Sequence, residues 1–143
     1  MEAIKQFFST NDLFASHSGI ELVEAGAGEA LVRMKIQPYH FNGAGTVHGG
    51  AIFTLADFAF AVASNSHGQL AMGISTSMNF VKAPVSGTLY ARASEQSRNA
   101  KLAAYSVTVT DDDGSTIAIF QGMVYRKKES ILSLHVDNQS NVG

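Results

Sequence analysis

The segment VHGGAIFTLADFAFAVAS, residues 47–64, holds a histidine and two glycines at its start and one carboxylate, Asp57, in an otherwise apolar run. Taking an ionised carboxylate out of water costs free energy unless it is paired. Asp57 is therefore either solvated on a helix surface or kept for a task. Gly49 and Gly50 fall where a helix would begin, and bare glycine backbone lets a ligand approach closely. N–H groups of a first helical turn lack intrahelical acceptors and carry partial positive charge. They can stabilise a carbonyl oxygen that becomes negative under nucleophilic attack. The plainer alternative is that the glycines only permit a tight turn. Thr54, Asp57 and Ser64, spaced by three and seven, share one helical face with Ala61 between the last two. That is a narrow polar seam.

The elements that must position these residues follow from composition and periodicity. The chain has 143 residues, 45% hydrophobic and 15% charged, with formal net charge −2, which fits a single domain, residues 1–143, with a proper core. There is no basic excess to suggest nucleic-acid binding. With no cysteine, disulfides, thiolate catalysis and Cys-rich zinc sites are excluded. MEAIKQFFSTND lacks the long apolar run of a secretory signal. Ala51–Ala63 is shorter than the roughly 20 residues that cross a bilayer. These features predict a cytoplasmic protein without membrane contact.

Glu2–Phe14 is expected to form an amphipathic helix with Ile4, Phe7, Phe8 and Leu13 on its apolar side. Strands are expected at Ile20–Val23 and Ala30–Ile36 about the turn GAGE, a loop over Pro38–Gly45, then strands near 70–83, 88–97, 102–110 and 116–127. PVSG, RNAK and DDDG are short, hairpin-like separators. Ala103, Tyr105, Val107 and Val109 alternate with Ala104, Ser106 and Thr108, as in a half-buried antiparallel strand. From Glu129 the periodicity fades, which predicts a frayed tail over 129–143. The central helix is apolar nearly all round and should be enclosed. An antiparallel sheet curled around it satisfies both patterns, an α+β architecture.

Asn42, His48, Gly49, Gly50 and Asp57, in the pattern N-x5-H-G-G-x6-D, resemble the motif of hotdog-fold acyl-CoA thioesterases of the phenylacetate-pathway (PaaI-like) type. The resemblance covers about residues 12–127, including MNFVKAPVSGTLYARA and VTDDDG. It implies a curved antiparallel sheet around one long helix, assembled as a homodimer or a dimer of dimers, with acyl-CoA as substrate. Coenzyme A belongs to that substrate, so no separate cofactor is implied. By the resemblance Asp57 attacks the thioester carbonyl or activates a water. Gly49 N–H polarises the carbonyl with help from Asn42, His48 orients the thioester, Gly50 lies against the ligand, and Ser75 positions the water. Ala61, where some relatives have a hydroxyl, departs from the pattern. The pantetheine would lie near Val81–Pro84. Lys82, Arg98, Arg126, Lys127 and Lys128 are the candidate cations for the phosphates, against the alternative of solvated strand ends.

The spacing adds a geometric requirement. Gly49 and Asp57 are eight residues apart, about 12 Å along a continuous helix. Attacking group and oxyanion donor each sit about 3 Å from the reacting carbonyl. The site should therefore join Gly49 and Asn42 of one subunit to Asp57 of another.

Other chemistry finds less support. Five scattered histidines, His40 and His48 among them, form no H-x3-H pair, so no metal site is expected. DDDG begins like a calcium loop, but Thr116 occupies the glycine position and Gly122 the glutamate position. G-x-S-x-G is absent. Phe41, Phe53, Phe58 and Phe80 are expected to line an aromatic-tolerant acyl pocket, suiting phenylacetyl-like or medium-chain groups. Two rival readings are a hotdog hydroxyacyl-CoA dehydratase and a non-catalytic acyl-CoA-binding protein.

Overall fold

The computed structural model of the protein describes residues 1–134. Helices α1 (Glu2–Asn11) and α2 (Leu13–His17) precede strands β1 (Ile20–Gly26) and β2 (Glu29–Lys35) and a 3-10 turn at Pro38–His40. Helix α3 (Gly49–Asn65) leads into β3 (Gln69–Phe80), β4 (Thr88–Arg98), β5 (Leu102–Thr110) and β6 (Thr116–Ser130). All sheet pairings are antiparallel, in the order β1-β2-β4-β5-β6-β3. The sheet wraps α3, which gives the expected hotdog arrangement. No helix among the described residues is long and apolar enough to cross a membrane.

Alternation decides which face of each strand meets α3. Ala30, Val32 and Met34 of β2, Leu89, Ala91 and Ala93 of β4, and Ala103, Tyr105, Val107 and Val109 of β5 are buried. They pack on Ile52, Leu55, Ala56, Ala59, Val62 and Ala63 of α3. Small residues let the helix lie close to the sheet. Gly73 and Gly122 leave room for the Phe60 ring, which a Cβ on Gly122 would meet at 2.7 Å. Asn65 ends α3 by donating to the Ala61 and Ala71 carbonyls and accepting the Ala71 N–H at 2.8 Å. The start of β3 is thereby pinned to the helix end.

Four expectations need correction. The N-terminal helix does not run unbroken to Phe14, because Asp12 leaves helical geometry and its carboxylate accepts the Ala15 N–H at 3.1 Å, capping a second helix. That break turns Leu13 outward, 74% exposed, rather than into the core beside Ile4 and Phe8. Strand β3 stops at Phe80 rather than 83, since the N–H groups of Val81 and Lys82 both converge on the Ile117 carbonyl. The end of the chain is built beyond Glu129. Strand β6 runs through Ser130, and Ile131 is buried with its N–H on the Gly68 carbonyl at 2.9 Å. Residues 135–143 of the expected tail lie outside the described residues.

Candidate active site

Among the described residues, helix α3 is covered by sheet and N-terminal helices on every side but one. The open stripe runs Gly50, Thr54, Asp57, Ala61, and of these only Gly50 and Asp57 are exposed. Asp57 thus sits where the helix meets solvent in the single chain. Its carboxyl is nonetheless pushed above its ordinary pKa, first by desolvation among neighbouring groups and then by the like charge of Asp12. Thr54 contributes no free hydroxyl proton, because its Oγ donates to the Gly50 carbonyl at 2.7 Å.

The N-terminal end of the helix is built by His48. As N-cap it holds extended backbone, φ −60° and ψ 134°, and its Nδ1 accepts the Gly50 N–H at 2.8 Å. Its carbonyl accepts from Ala51 and Ile52. The Gly49 N–H has no acceptor among the described residues, so one donor at the positive end of a 17-residue helix remains open. The Phe80 ring lies over it, with Cζ 3.3 Å from the position of a Cβ on Gly49. Since α3 is continuous, Gly49 and Asp57 of one chain remain about 12 Å apart.

Asn42 serves its own loop. Its side-chain oxygen accepts the N–H groups of Ala44 and Thr46, and its Nδ2 donates to Thr46 Oγ1 at 2.9 Å. One amide hydrogen is left over. The loop reaches the helix cap through His40, which is buried at 4% exposure. His40 Nδ1 accepts the Gln37 N–H, Nε2 donates to the Ser18 carbonyl at 2.7 Å, and its carbonyl accepts the His48 N–H. It ties α2, the 3-10 turn and the α3 cap together. Its ring nitrogens are thereby engaged, and no group of three or more metal-ligating side chains occurs among the described residues.

The structure does not bring Ser75 to this site. Ser75 pairs with Met123, and Ser77 with Gln121, on the outer face of the sheet, whereas Met78 and Phe80 pair with Phe120 and Ala118 on the helix side. A bulge between Gly73 and Ser75 sets that register. The candidate cations are also divided. Lys82 stands at the Gly49 end of the sheet and pairs with Asp111 at 3.4 Å. Arg98, 3.6 Å from Glu95, and Arg126, bound to Asn99 and Gln69, stand at the opposite end. Lys127 and Lys128 there are exposed and have no ion-pair partner among the described residues. Val81 is 59% exposed beside Lys82.

Of the four phenylalanines expected to line a pocket, Phe53 and Phe58 pack inward against Phe120 and Phe8 instead. Phe41 and Phe80 do lie near the helix cap. The open cleft beside the cap has a volume of about 630 Å3 and includes residues that sequence reasoning passed over, Phe14, His17 and Tyr39, with His48, Gly50 and Thr54.

The Thioesterase superfamily model matches residues 44–118, over half of the chain. A protein of Archaeoglobus fulgidus, provisionally assigned as an esterase, is 39% identical over 130 residues, 90% of this chain and 84% of that protein. The acyl-coenzyme A thioesterase PaaI of Escherichia coli is 32% identical over 117 residues, 81% of this chain and 84% of its own. The solved structure of E. coli PaaI superposes with a TM-score of 0.86, covering 90% of this chain and 96% of that one. A Streptococcus mutans protein solved with acetyl-CoA superposes at 0.72 with 25% identity, covering 76% and 88%.

Proposed function

The chain belongs to the thioesterase superfamily and is PaaI-like, and from that premise we propose that it hydrolyses acyl-CoA thioesters with Asp57 as the reacting carboxylate and Gly49 as the oxyanion donor. The observation that supports this most is the pairing on one helix, among the described residues, of a donor N–H without an acceptor and a lone carboxylate on an open stripe. Asp57, partly desolvated, takes a proton from water as that water attacks the thioester carbon, or attacks the carbon itself. Charge building on the carbonyl oxygen is met by the Gly49 N–H and helix dipole. In the water route the carbon–sulfur bond then breaks and Asp57 returns the proton to the departing thiolate; in the direct route the thiolate leaves first, and water then cleaves the mixed anhydride on Asp57 and supplies the thiolate's proton.

About 12 Å is too far for both roles within one chain, so the working unit is a twofold dimer in which Asp57 faces the partner subunit's helix cap. Strand β3 supports this. It is a rim strand of 12 residues, with Met72, Ile74 and Phe80 more than half exposed, an edge that single chains do not ordinarily leave bare. Antiparallel pairing of two β3 edges lays the two α3 helices side by side. It also brings one chain's Lys127 and Lys128 end toward its partner's Lys82 end, which gathers the divided cations for the CoA phosphates.

A panel of acyl-CoAs read by thiol release tests the assignment. Free CoA should appear with the free acid for at least one acyl group. Alkene formation without CoA release would favour a dehydratase, and tight binding without turnover a binding protein. Either outcome overturns the reading.

A further inference from the structure

Exposed aromatic rings cost a chain hydration free energy, and here two of the most exposed large side chains stand together. Phe14 is 68% exposed and Tyr39 is 65% exposed. They border the same cleft, which Gly50 and Thr54 of α3 also line. Neither is loose. Phe14 sits on α2, whose first turn is capped by Asp12 and whose C-cap residue, Ser18, gives its carbonyl to His40 Nε2. The Tyr39 ring packs edge-on against His40 at a centroid distance of 4.4 Å, and its hydroxyl lies 2.9 Å from where a Cβ on Gly19 would be. Gly19 has φ +79°, so the chain turns there with no side chain to displace that hydroxyl.

A cleft of about 630 Å3 is in the range that takes drug-sized ligands, far more than a two-carbon acyl group fills. The helix start, through His48 and Gly50, lines it together with the rings of Phe14, Tyr39 and Phe41 and the polar His17 and Ser18. An acyl group extending away from a carbonyl at Gly49 would therefore run across Thr54 toward Phe14 and Tyr39. We propose that Phe14 and Tyr39 are specificity-determining residues, forming a wall that selects bulky, branched or ring-bearing acyl groups over acetyl. The inference rests on the thioesterase reading of the same site. Neither residue takes part in bond making, and both act through apolar contact that only a large acyl group reaches.

The test compares kcat/KM for acetyl-, hexanoyl- and benzoyl-CoA in the wild type, Phe14→Ala, Tyr39→Ala and Phe14→Trp. The alanine variants should lose about 10–100-fold on benzoyl-CoA with acetyl-CoA unchanged. Phe14→Trp, which fills the cleft, should move the preference toward smaller groups. Unchanged ratios in all three variants overturn the wall while leaving the thioesterase reading intact. A wild type that hydrolyses none of the three, or undiminished turnover in Asp57→Asn, sinks that reading instead. If the alanine variants lose activity equally on all substrates and elute as monomers, the rings belong to an interface between copies, and the proposal fails. Phe14 and Tyr39 are exposed, so circular dichroism should show each variant folded.

Discussion

His48 Nδ1 accepts the Gly50 N–H at 2.8 Å, while the preceding N–H, that of Gly49, finds no acceptor among the described residues. The cap thus uses one donor of the first turn and reserves its neighbour. Proline is tolerated at a first helical position, where it removes an N–H that the helix does not use. The backbone of His48, φ −60° and ψ 134°, is what a residue before proline requires. Gly49→Pro should therefore fold and lose about 100–1,000-fold in kcat, the cost of one oxyanion donor. Gly49→Ala keeps the N–H and meets the same Phe80 ring at 3.3 Å, so it should retain most turnover. Equal losses in the two variants would show that crowding against Phe80, not the donor, is responsible.

Asp57→Asn keeps the shape and removes the charge. Turnover should fall about 100–10,000-fold, the usual worth of a general base, with acyl-CoA binding retained by calorimetry. Stability should move the other way. The Asp57 pKa is raised in the fold, so its contribution to stability is fully present below the unfolded-state pKa and is lost as pH rises through the folded one. At neutral pH the asparagine variant should melt no lower than the wild type. A clearly lower Tm would mean that the carboxylate is structural.

Asp12 tests the electrostatics without touching substrate. Its charge is the second cause of the raised Asp57 pKa, after desolvation. A base works only when ionised, so kcat/KM should climb with pH through the Asp57 pKa. Asp12→Asn should shift that acid limb to lower pH. An unmoved limb would remove Asp12 from the site's electrostatics. Asp12→Ser, which preserves a capping oxygen for α2, controls for loss of the cap.

Subunit complementation tests the shared site. Asp57→Ala and Gly49→Pro chains should each be nearly inactive alone. Mixed one to one and reassociated, half the dimers become hybrids with one intact site of two, restoring about a quarter of wild-type activity. No recovery, with hybrids shown to form, would place both groups' work within one chain.

His40 holds α2, the 3-10 turn and the helix cap by two part-buried ring hydrogen bonds and its carbonyl. His40→Ala strands the Gln37 N–H and Ser18 carbonyl and should cost about 2–4 kcal/mol in urea unfolding. A loss under about 1 kcal/mol would indicate that water replaces the ring.

Much of this architecture was legible in the residues. Alternation marked β2 and β5, and the run after Gly50 marked an enclosed helix whose seam singled out Asp57. What escaped depended on single backbone events. One capping carboxylate at Asp12 reversed the expected facing of Leu13, and periodicity alone cannot register a cap of that kind. The face of Ser75 could have been read from its alternation with Met78 and Phe80, both apolar, two strand positions at a time. The work done by Asn42 and His40 within the loop was not legible, because it is fixed by partners distant in sequence such as Ser18.

The bare rim at β3 carries a consequence for the chain's life before assembly. A twelve-residue strand paired with β6 on one side only, carrying the exposed Met72, Ile74 and Phe80, offers its outward N–H and C=O groups to almost any extended strand, and a correct partner must arrive before a wrong one does. Synthesis rate and local concentration, not the chain's own folding alone, then govern how much of it ends in aggregates.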